Sequence, residues 1–479
     1  MQPFISVTTA LVVVGAISIM LLSFGFFINK KLIKNSNDFL YAGRNVGLAF
    51  STATLIAAWV TGNTTMAAPE QGYTLGLIAC FGYASAGLPL IIFAPLALRI
   101  KKLMPNGCTS GDFIRIRFGK AVWGLYLLLS AWYFLGCLMT QAMAGGILLQ
   151  ALAGTPYLLG MLTIMLVCTI YTLKGGLKAV MATDYILSLL ILGMLFITAV
   201  MAYTRFGAGD VYEGVMTLVP ERMNLITSAG LMYLGSNFLF AAGEIFHSNQ
   251  WWQRVYAAKE SVAAKSFILS GLIWMTVPIV AGALAFVAIS NNYVVPQVNM
   301  VFPIVVSQLL GPIGSVLVLI IIYAALASTV SSILTSSSNL IVQDIFKQLI
   351  NPNISNEQLI KYNRVVIVAL SVFAVALTWK QRTSMYQLLL LTGPAVASMV
   401  WPIAYGIFNQ HTNRVAAFWA MLLGMSCGLV TYFVISSYAA PVVSAVVSCL
   451  VLVCGTALKP DQRFRWKDLN EVHAPKEGA

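Results

Sequence analysis

The feature that most constrains this 479-residue chain is a series of apolar stretches, each long enough to cross a lipid bilayer. A helix needs roughly 20 apolar residues to span the hydrocarbon core, and about thirteen such stretches follow one another. Their predicted limits are 4–28, 46–69, 72–98, 121–153, 157–172, 179–203, 225–247, 266–290, 312–343, 365–379, 385–408, 415–435 and 441–458. A β-barrel would instead show alternating segments of about ten residues. The sequence therefore predicts an all-α polytopic membrane protein.

The composition agrees with this architecture and excludes several functions. Hydrophobic residues make up 59% of the chain and charged residues 9%, whereas soluble domains carry about 25% charged residues. The three His and seven Cys residues show neither the spacing of a metal site nor a nucleophilic triad. We therefore expect no enzyme activity and no organic cofactor.

The formal net charge of +13 reflects membrane topology. All but four of the 28 Lys and Arg residues fall in loops on one predicted side, and the exceptions are Arg205, Arg222, Lys380 and Arg382. The positive-inside rule then places the amino terminus outside and the carboxyl terminus in the cytoplasm, in a plasma membrane or a bacterial inner membrane. The predicted surroundings are a lipid bilayer, with no nucleic acid and no obligate protein partner.

Polar groups inside the predicted spans indicate where function lies, because an ionised carboxylate at the bilayer midplane costs about 2.5–3.5 kcal/mol. The spans contain or border on Glu70, Asp184 and Glu244. Two further stretches, 61–65 in the second span and 328–332 in the ninth, are unusually rich in hydroxyl and amide side chains. These positions are the candidates for a binding site.

The second and seventh spans carry residues that weaken helices. Gly62 and Pro69 interrupt the second span, so we predict that it unwinds near 60–64 and frees carbonyls for a cation. The seventh span repeats the pattern at 235–237 and 243–244. Broken spans at matching positions of two halves are typical of transporters with inverted repeats and a site at the midplane. The alternative is that these small residues only pack helices together.

The ninth span has a polar face. Positions 325, 328, 329, 332 and 336 recur every three or four residues. Ser328, Thr329 and the carbonyl of Ala325 offer uncharged oxygen donors, which suit a monovalent cation, since Mg²⁺ and Ca²⁺ favour carboxylates. The alternative is that the hydroxyls bond to carbonyls one turn back in their own helix.

The order of these motifs resembles the solute:sodium symporter family. The resemblance rests on the broken second span, GGLKAVMATD at 175–184, QRVYAAK at 253–259 and the Ser/Thr-rich ninth span ending in Asp-Ile-aromatic, and it runs from about residue 36 to 413. It implies a LeuT-type fold of two five-helix inverted repeats and sodium-coupled import by alternating access. The implied division is 1–45 for a peripheral helix and cytoplasmic loop, 46–204 and 205–413 for the repeats, 414–458 for two peripheral helices, and 459–479 for a cytoplasmic tail.

The resemblance also implies an ion site. Carried over by position, the sodium ligands are the carbonyls of Ala57, Val60 and Ala325 and the hydroxyls of Ser328 and Thr329. Some members hold a second sodium, which here would involve Asp184 with Ser331 and Ser332. The alternative for Asp184 is a structural carboxylate paired near Lys178 at the same cytoplasmic end.

The fold implied by the resemblance places the solute between the second, third, seventh and eleventh spans. The candidates are Thr61, Asn63, Thr64, Tyr83, Asn237, Phe240, Glu244 and Gln387. Amides, hydroxyls, one acid and aromatic walls suit a small polar solute that is amino-acid-like, urea-like or another nitrogen compound. Glu244 either contacts a cationic substrate or pairs with a cytoplasmic base near the gate.

The sequence departs from two branches of the family. Sugar carriers have an acid–glutamine pair where this chain has Asn63-Thr64 and Tyr83, and proline carriers have an Asp where Trp59 stands. Three segments look somewhat more like the branch that carries urea and small nitrogen compounds: GNTTMAAPEQGY at 62–73, GYASAG at 82–87 and MPNGCTSGDF at 104–113. The alternatives to sodium symport are a proton-coupled or uncoupled carrier of the same fold and a transporter-like membrane sensor.

Overall fold

The computed structural model describes residues 4–32, 35–295, 297–380 and 385–472, without the side chains at 28, 29, 32, 36, 63, 385 and 386. In these ranges the chain is helical and has no β-strand, and one isolated bridge joins Val46 to Ala258. The predicted all-α architecture is thus confirmed for the described residues. The predicted loop charge at Arg382 lies outside them.

The first half of the chain forms ten α-helices. They are α1 (Val7–Leu32), α2 (Ser36–Tyr41), α3 (Leu48–Trp59), α4 (Gly62–Leu75), α5 (Leu77–Ala84), α6 (Leu88–Leu103), α7 (Ser110–Phe118), α8 (Lys120–Ala153), α9 (Tyr157–Phe206) and α10 (Ala208–Leu218). Short 3₁₀ turns follow α2, α5 and α10.

The second half forms ten more. They are α11 (Ser228–His247), α12 (Asn249–Ala257), α13 (Glu260–Ser290), α14 (Val301–Leu340), α15 (Asn356–Thr378), α16 (Met385–Ser398), α17 (Val400–Phe408), α18 (Arg414–Val434), α19 (Ala439–Leu458) and α20 (Lys467–Asn470). A π-helical segment, Ile341–Ile350, continues α14.

Eleven helices among the described residues are long and apolar enough to cross a membrane. The 50-residue α9 is too long for one crossing, since 1.5 Å per residue makes it about 75 Å. It kinks at Gly176, where φ is 54° and a β-carbon would lie 2.7 Å from the ring of Phe39. If α9 counts as two crossings and α3–α4 as one broken crossing, the total is compatible with the thirteen predicted spans.

The two broken spans differ in how well the sequence located the break. In the second span, α3 ends at Trp59 and α4 begins at Gly62, within the predicted 60–64. In the seventh span the break lies later than the sequence indicates: α11 is continuous through 235–237 and 243–244, and the helix breaks at Ser248, where ψ is 127°. The side chain of Ser248 caps α12 by accepting from the amide of Gln250.

The centre of the bundle is α14, which contacts α1, α3, α4, α8, α9, α13 and α15. From Val318 almost every side chain of this helix is buried, including its row of hydroxyls. A buried hydroxyl needs a hydrogen-bond partner. The polar face of α14 is therefore held between neighbouring helices and away from lipid.

Candidate functional site

The break in the second span leaves two backbone carbonyls without the partners that a continuous helix would provide. The amide of Thr61 turns to the hydroxyl of Thr64 and the amide of Gly62 turns to Oε1 of Gln141. In a continuous helix the Thr61 amide would bond to the carbonyl of Ala57. Within the described part of the chain, no amide is recorded donating to the carbonyls of Ala57 and Val60.

The sequence explains why the chain breaks here. Thr61 and Thr64 form a capping box, in which each side chain accepts from the other residue's amide, and this starts α4 at Gly62. A β-carbon at Gly62 would lie 2.6 Å from a methyl of Leu326 in α14. A larger residue at this position would therefore force the side chain of Leu326 to move.

The hydroxyls of α14 divide into two groups. Most of them donate to carbonyls one turn back in the same helix, as Thr335 does to Ser331 at 2.8 Å and Thr329 does to Ala325 at 3.0 Å. Ser328 instead donates to Oδ1 of Asp184 at 2.5 Å. The back-bonding alternative thus describes much of the face, and Ser328 is an exception to it.

Ala57 lies one turn from Thr54 in α3, and Ala325 lies one turn from Ser328 in α14. Thr54 donates to Oδ2 of Asp184 at 2.6 Å, so the same carboxylate anchors both helices. We call the carbonyls of Ala57, Val60 and Ala325 with the hydroxyls of Ser328 and Thr329 the α3–α14 site. All five residues are buried.

The carboxylate of Asp184 forms a buried ion pair. Nη2 of Arg254 lies 3.1 Å from Oδ2 of Asp184, and neither side chain is exposed. The same guanidinium donates to Ser332 at 2.7 Å and to Thr54 at 3.1 Å. We call the oxygens of Thr54, Asp184, Ser328 and Ser332 the Asp184 cage.

The partner of Asp184 is not the one suggested by sequence. Lys178 binds Asp38 at 2.8 Å, and Arg254, counted above among the charges of a cytoplasmic loop, lies buried in α12. The hydroxyl of Ser331 donates to the carbonyls of Ala327 and Ser328 and is not recorded in contact with Asp184. Ser332 is linked to Asp184 through Arg254, which donates a hydrogen bond to its hydroxyl.

A cavity lies beside the break in the second span. Its lining residues are Trp59, Thr61, Thr64, Tyr83, Ala86, Cys137, Gln141, Asn237, Phe240, Ala241, Glu244, Trp274, Leu389 and Leu390. Measured over the centres of water-sized spheres its free volume is about 50 Å³, and one buried water needs roughly 10–15 Å³ on that measure. The cavity therefore has room for a solute about the size of a few waters.

The cavity combines one acid with an aromatic wall. In the described part of the chain, the lining contains Glu244 and neither Lys nor Arg. The rings of Trp59 and Trp274 lie 5.7 Å apart, and Tyr83 lies 6.3 Å from Trp274. Aromatic faces attract cationic and N–H-rich groups, and a carboxylate only accepts hydrogen bonds. Such a cavity favours ligands that donate hydrogen bonds.

Six of the eight predicted substrate residues line this cavity: Thr61, Thr64, Tyr83, Asn237, Phe240 and Glu244. The side chain of Asn63 lies outside the described part. Gln387 is exposed and does not belong to this lining, to which the eleventh span contributes Leu389 and Leu390. Gln387 lies about one helical turn before Leu390, near the start of α16.

Sequence reasoning missed the other eight lining residues, and three of them, Trp59, Gln141 and Trp274, have large aromatic or amide side chains. Gln141 is a fully buried amide in the middle of the fourth span, so the search for polar groups inside spans would have found it. In the sequence, Trp59 stands out only because it lies where proline carriers have an Asp. Trp274 lies in α13 amid apolar residues, and nothing in its sequence neighbourhood distinguishes it.

Three comparisons relate the chain to known proteins. The model of the family described as the sodium:solute symporter family matches residues 39–424. A urea-proton symporter of Oryza sativa subsp. japonica is 25% identical over 478 residues, covering 88% of this chain and 64% of the relative. A urea active transporter of Saccharomyces cerevisiae is 26% identical, covering 85% of this chain and 60% of the relative.

The chain thus spans less than two thirds of the length of these urea transporters. A high-affinity proline transporter of Bacillus subtilis is 23% identical, and the match covers 86% of this chain and 89% of the relative. Among solved structures, a Na⁺-coupled sialic acid symporter in a substrate-bound outward-open state has a TM-score of 0.78 at 19% identity, covering 96% of this chain and 100% of that one. This structural likeness shows the fold, which is of the LeuT type.

Proposed function

Because the chain belongs to the sodium:solute symporter family, we propose that it is a secondary active symporter that imports a small polar solute together with sodium. The proteins it resembles are transporters, and it is a multi-pass membrane carrier and not an enzyme. Transport proceeds by alternating access, with the amino terminus outside and the carboxyl terminus in the cytoplasm. The host membrane is a plasma membrane or a bacterial inner membrane.

The observation that carries the proposal is the α3–α14 site. The break at Val60–Thr61 frees the carbonyls of Ala57 and Val60. Asp184 joins Thr54, one turn before Ala57, to Ser328 of α14, which adds uncharged hydroxyls. Neutral oxygen donors hold a monovalent cation and also release it, as a transport cycle requires. We propose that sodium binds here.

We propose the cavity beside this site as the solute site. The hydroxyls of Thr61 and Thr64 at the helix break line the cavity, so one broken span serves the ion and the solute together. Among nitrogen compounds we favour a urea-like or amide solute. It offers several N–H donors to Glu244, fits the small volume, and carries no carboxylate that would need a Lys or Arg in the lining.

The test is transport by purified protein in proteoliposomes. Radiolabelled urea and proline are supplied with an inward gradient of sodium, or of choline as a control, at equal pH on both sides. We expect uphill uptake of urea with sodium and none with choline. Thermal unfolding with and without sodium screens further solutes, since a ligand at one hundred times its Kd stabilises by about 2.7 kcal/mol.

A second candidate is proton-coupled import of the same solute. It is favoured by Glu244, a carboxylate in the cavity wall that has no ion-pair partner among the described residues. The similarity of this chain to a urea-proton symporter of Oryza sativa subsp. japonica adds weight to it. Uptake driven by an inward proton gradient in sodium-free buffer, and abolished in Glu244→Gln, would establish this candidate in place of sodium coupling.

A further inference from the structure

The Asp184 cage already contains a positive charge. Nη2 of Arg254 lies 3.1 Å from the carboxylate of Asp184 and donates to Ser332 at 2.7 Å, while its Nε donates to Thr54 at 3.1 Å. The guanidinium of Arg254 thus contacts a carboxylate and two hydroxyls, which are the same kinds of oxygen that hold a sodium ion. The guanidinium thus sits where a cation bound to Asp184 would be expected.

The charges in this region balance without a further ion. Arg254 and Asp184 are wholly buried, and the nearby Lys178 binds a different carboxylate, Asp38. A sodium ion added to the cage would set two positive charges against one buried carboxylate. That ion would have to lie against the guanidinium that already bonds these oxygens, and two like charges in contact inside a protein repel strongly.

The cage is nevertheless linked to the α3–α14 site. Ser328 belongs to both, because its hydroxyl is a proposed sodium ligand and also donates to Asp184. Arg254 comes from α12, directly after the break at Ser248, and Asp184 comes from α9. The ion pair therefore joins the broken seventh span to the region of the proposed sodium site.

We propose that Arg254 is the resident cation of the Asp184 cage, so that the carrier binds one sodium ion, at the α3–α14 site, and none at Asp184. This rests on the sodium coupling proposed above and assigns its stoichiometry. A neutral residue at 254 leaves the carboxylate of Asp184 without a cation. The cage then becomes a second sodium site.

The first experiment counts sodium ions on the wild-type protein. Purified protein is titrated with ²²Na⁺, and the number bound at saturation and the Hill coefficient are measured. One ion per chain with a Hill coefficient near one supports the proposal, and two ions per chain overturn it. Protein that binds urea without binding sodium contradicts the proposed function instead, so the two failures are distinguishable.

The second experiment uses variants. Arg254→Gln is expected to bind two sodium ions, with a Hill coefficient rising towards two, whereas Arg254→Lys keeps one. The double variant Asp184→Asn/Arg254→Gln has no charge in the cage and is expected to return to one.

Arg117→Gln is the matched control for loss of a buried arginine, because Arg117 donates to backbone carbonyls of Gly406 and Asn409. It is expected to bind one ion. Folded Arg254→Gln protein that still binds one ion overturns the proposal. If that variant does not fold, the wild-type ion count decides.

Discussion

The backbone amide of Gly62 donates a hydrogen bond to the side-chain carbonyl of Gln141, 3.3 Å away on another helix. This contact replaces the bond that the amide would make inside a continuous second span. Both residues are buried, so each needs a hydrogen-bond partner within the protein or its cavity, and here each serves the other. The broken conformation beside the cavity therefore depends on an amide in α8.

Gln141→Leu tests this dependence. Removing the acceptor leaves a buried amide unsatisfied, which costs about 1–3 kcal/mol, so we expect a lower thermal unfolding midpoint in detergent and slower solute uptake. Gln150→Leu, at an exposed position of the same helix, is the control and should leave both unchanged. A Gln141→Leu protein with wild-type stability and uptake would show that the contact is dispensable.

Gly62→Ala tests the close approach of the break to α14. The added methyl would lie 2.6 Å from a carbon of Leu326, and overpacking of this kind costs about 1–3 kcal/mol. We expect reduced uptake and stability, partly restored in Gly62→Ala/Leu326→Ala. Gly193→Ala is the control, because no neighbouring atom lies within 4 Å of the place its added methyl would take. Equal effects at Gly62 and Gly193 would contradict the packing argument.

Thr329→Ala removes a proposed sodium ligand. By analogy with a hydrogen bond to a charged group, worth about 1.5–3 kcal/mol, the sodium concentration for half-maximal uptake should rise tenfold or more. Thr335→Ala is the control on the same helix. In the described part of the chain the hydroxyl of Thr335 bonds only to the carbonyl of Ser331, so its loss should not change the sodium concentration for half-maximal uptake. Unaltered sodium dependence in Thr329→Ala would show that the hydroxyl of Thr329 is not a sodium ligand.

Glu244→Gln changes an acceptor-only carboxylate into an amide without changing its size. If the solute donates N–H groups to Glu244, its Kd should rise about tenfold or more, as measured by ligand-dependent thermal stabilisation. Glu70→Gln is the control, since Glu70 lies on α4 and is not part of the cavity lining. Unchanged urea binding in Glu244→Gln would place the solute elsewhere.

The membrane potential separates a coupled carrier from a channel or a sensor. One sodium ion entering with a neutral solute carries one positive charge, which gains about 2.3 kcal/mol per 100 mV, enough for roughly fiftyfold accumulation. A valinomycin-imposed, inside-negative potassium potential should therefore accelerate sodium-dependent uptake in proteoliposomes and drive it uphill. Uptake that ignores both sodium and voltage would indicate a uniporter, and binding without any flux would indicate a sensor.

The sequence by itself determined the membrane-spanning helices, the break in the second span and the polar face of the ninth. Each is a local property: apolar length favours a transmembrane helix, and the capping box of Thr61 and Thr64 is a signal for a helix start that needs only neighbouring residues. Six of the eight predicted cavity residues followed from these features together with the family resemblance. The division of the chain into its repeats at residues 204 and 413 stays a prediction.

Only the tertiary structure decided which helices meet. Arg254 and Asp184 are 70 positions apart, and the charge pattern assigned Arg254 to a loop, because a basic residue near a span end has the same sequence signal whether it faces the cytoplasm or an acid inside the bundle. Trp274 and Gln387 show the same limit. Helices in a membrane pack through surfaces as apolar as those facing lipid, so periodicity does not reveal which residues face the cavity.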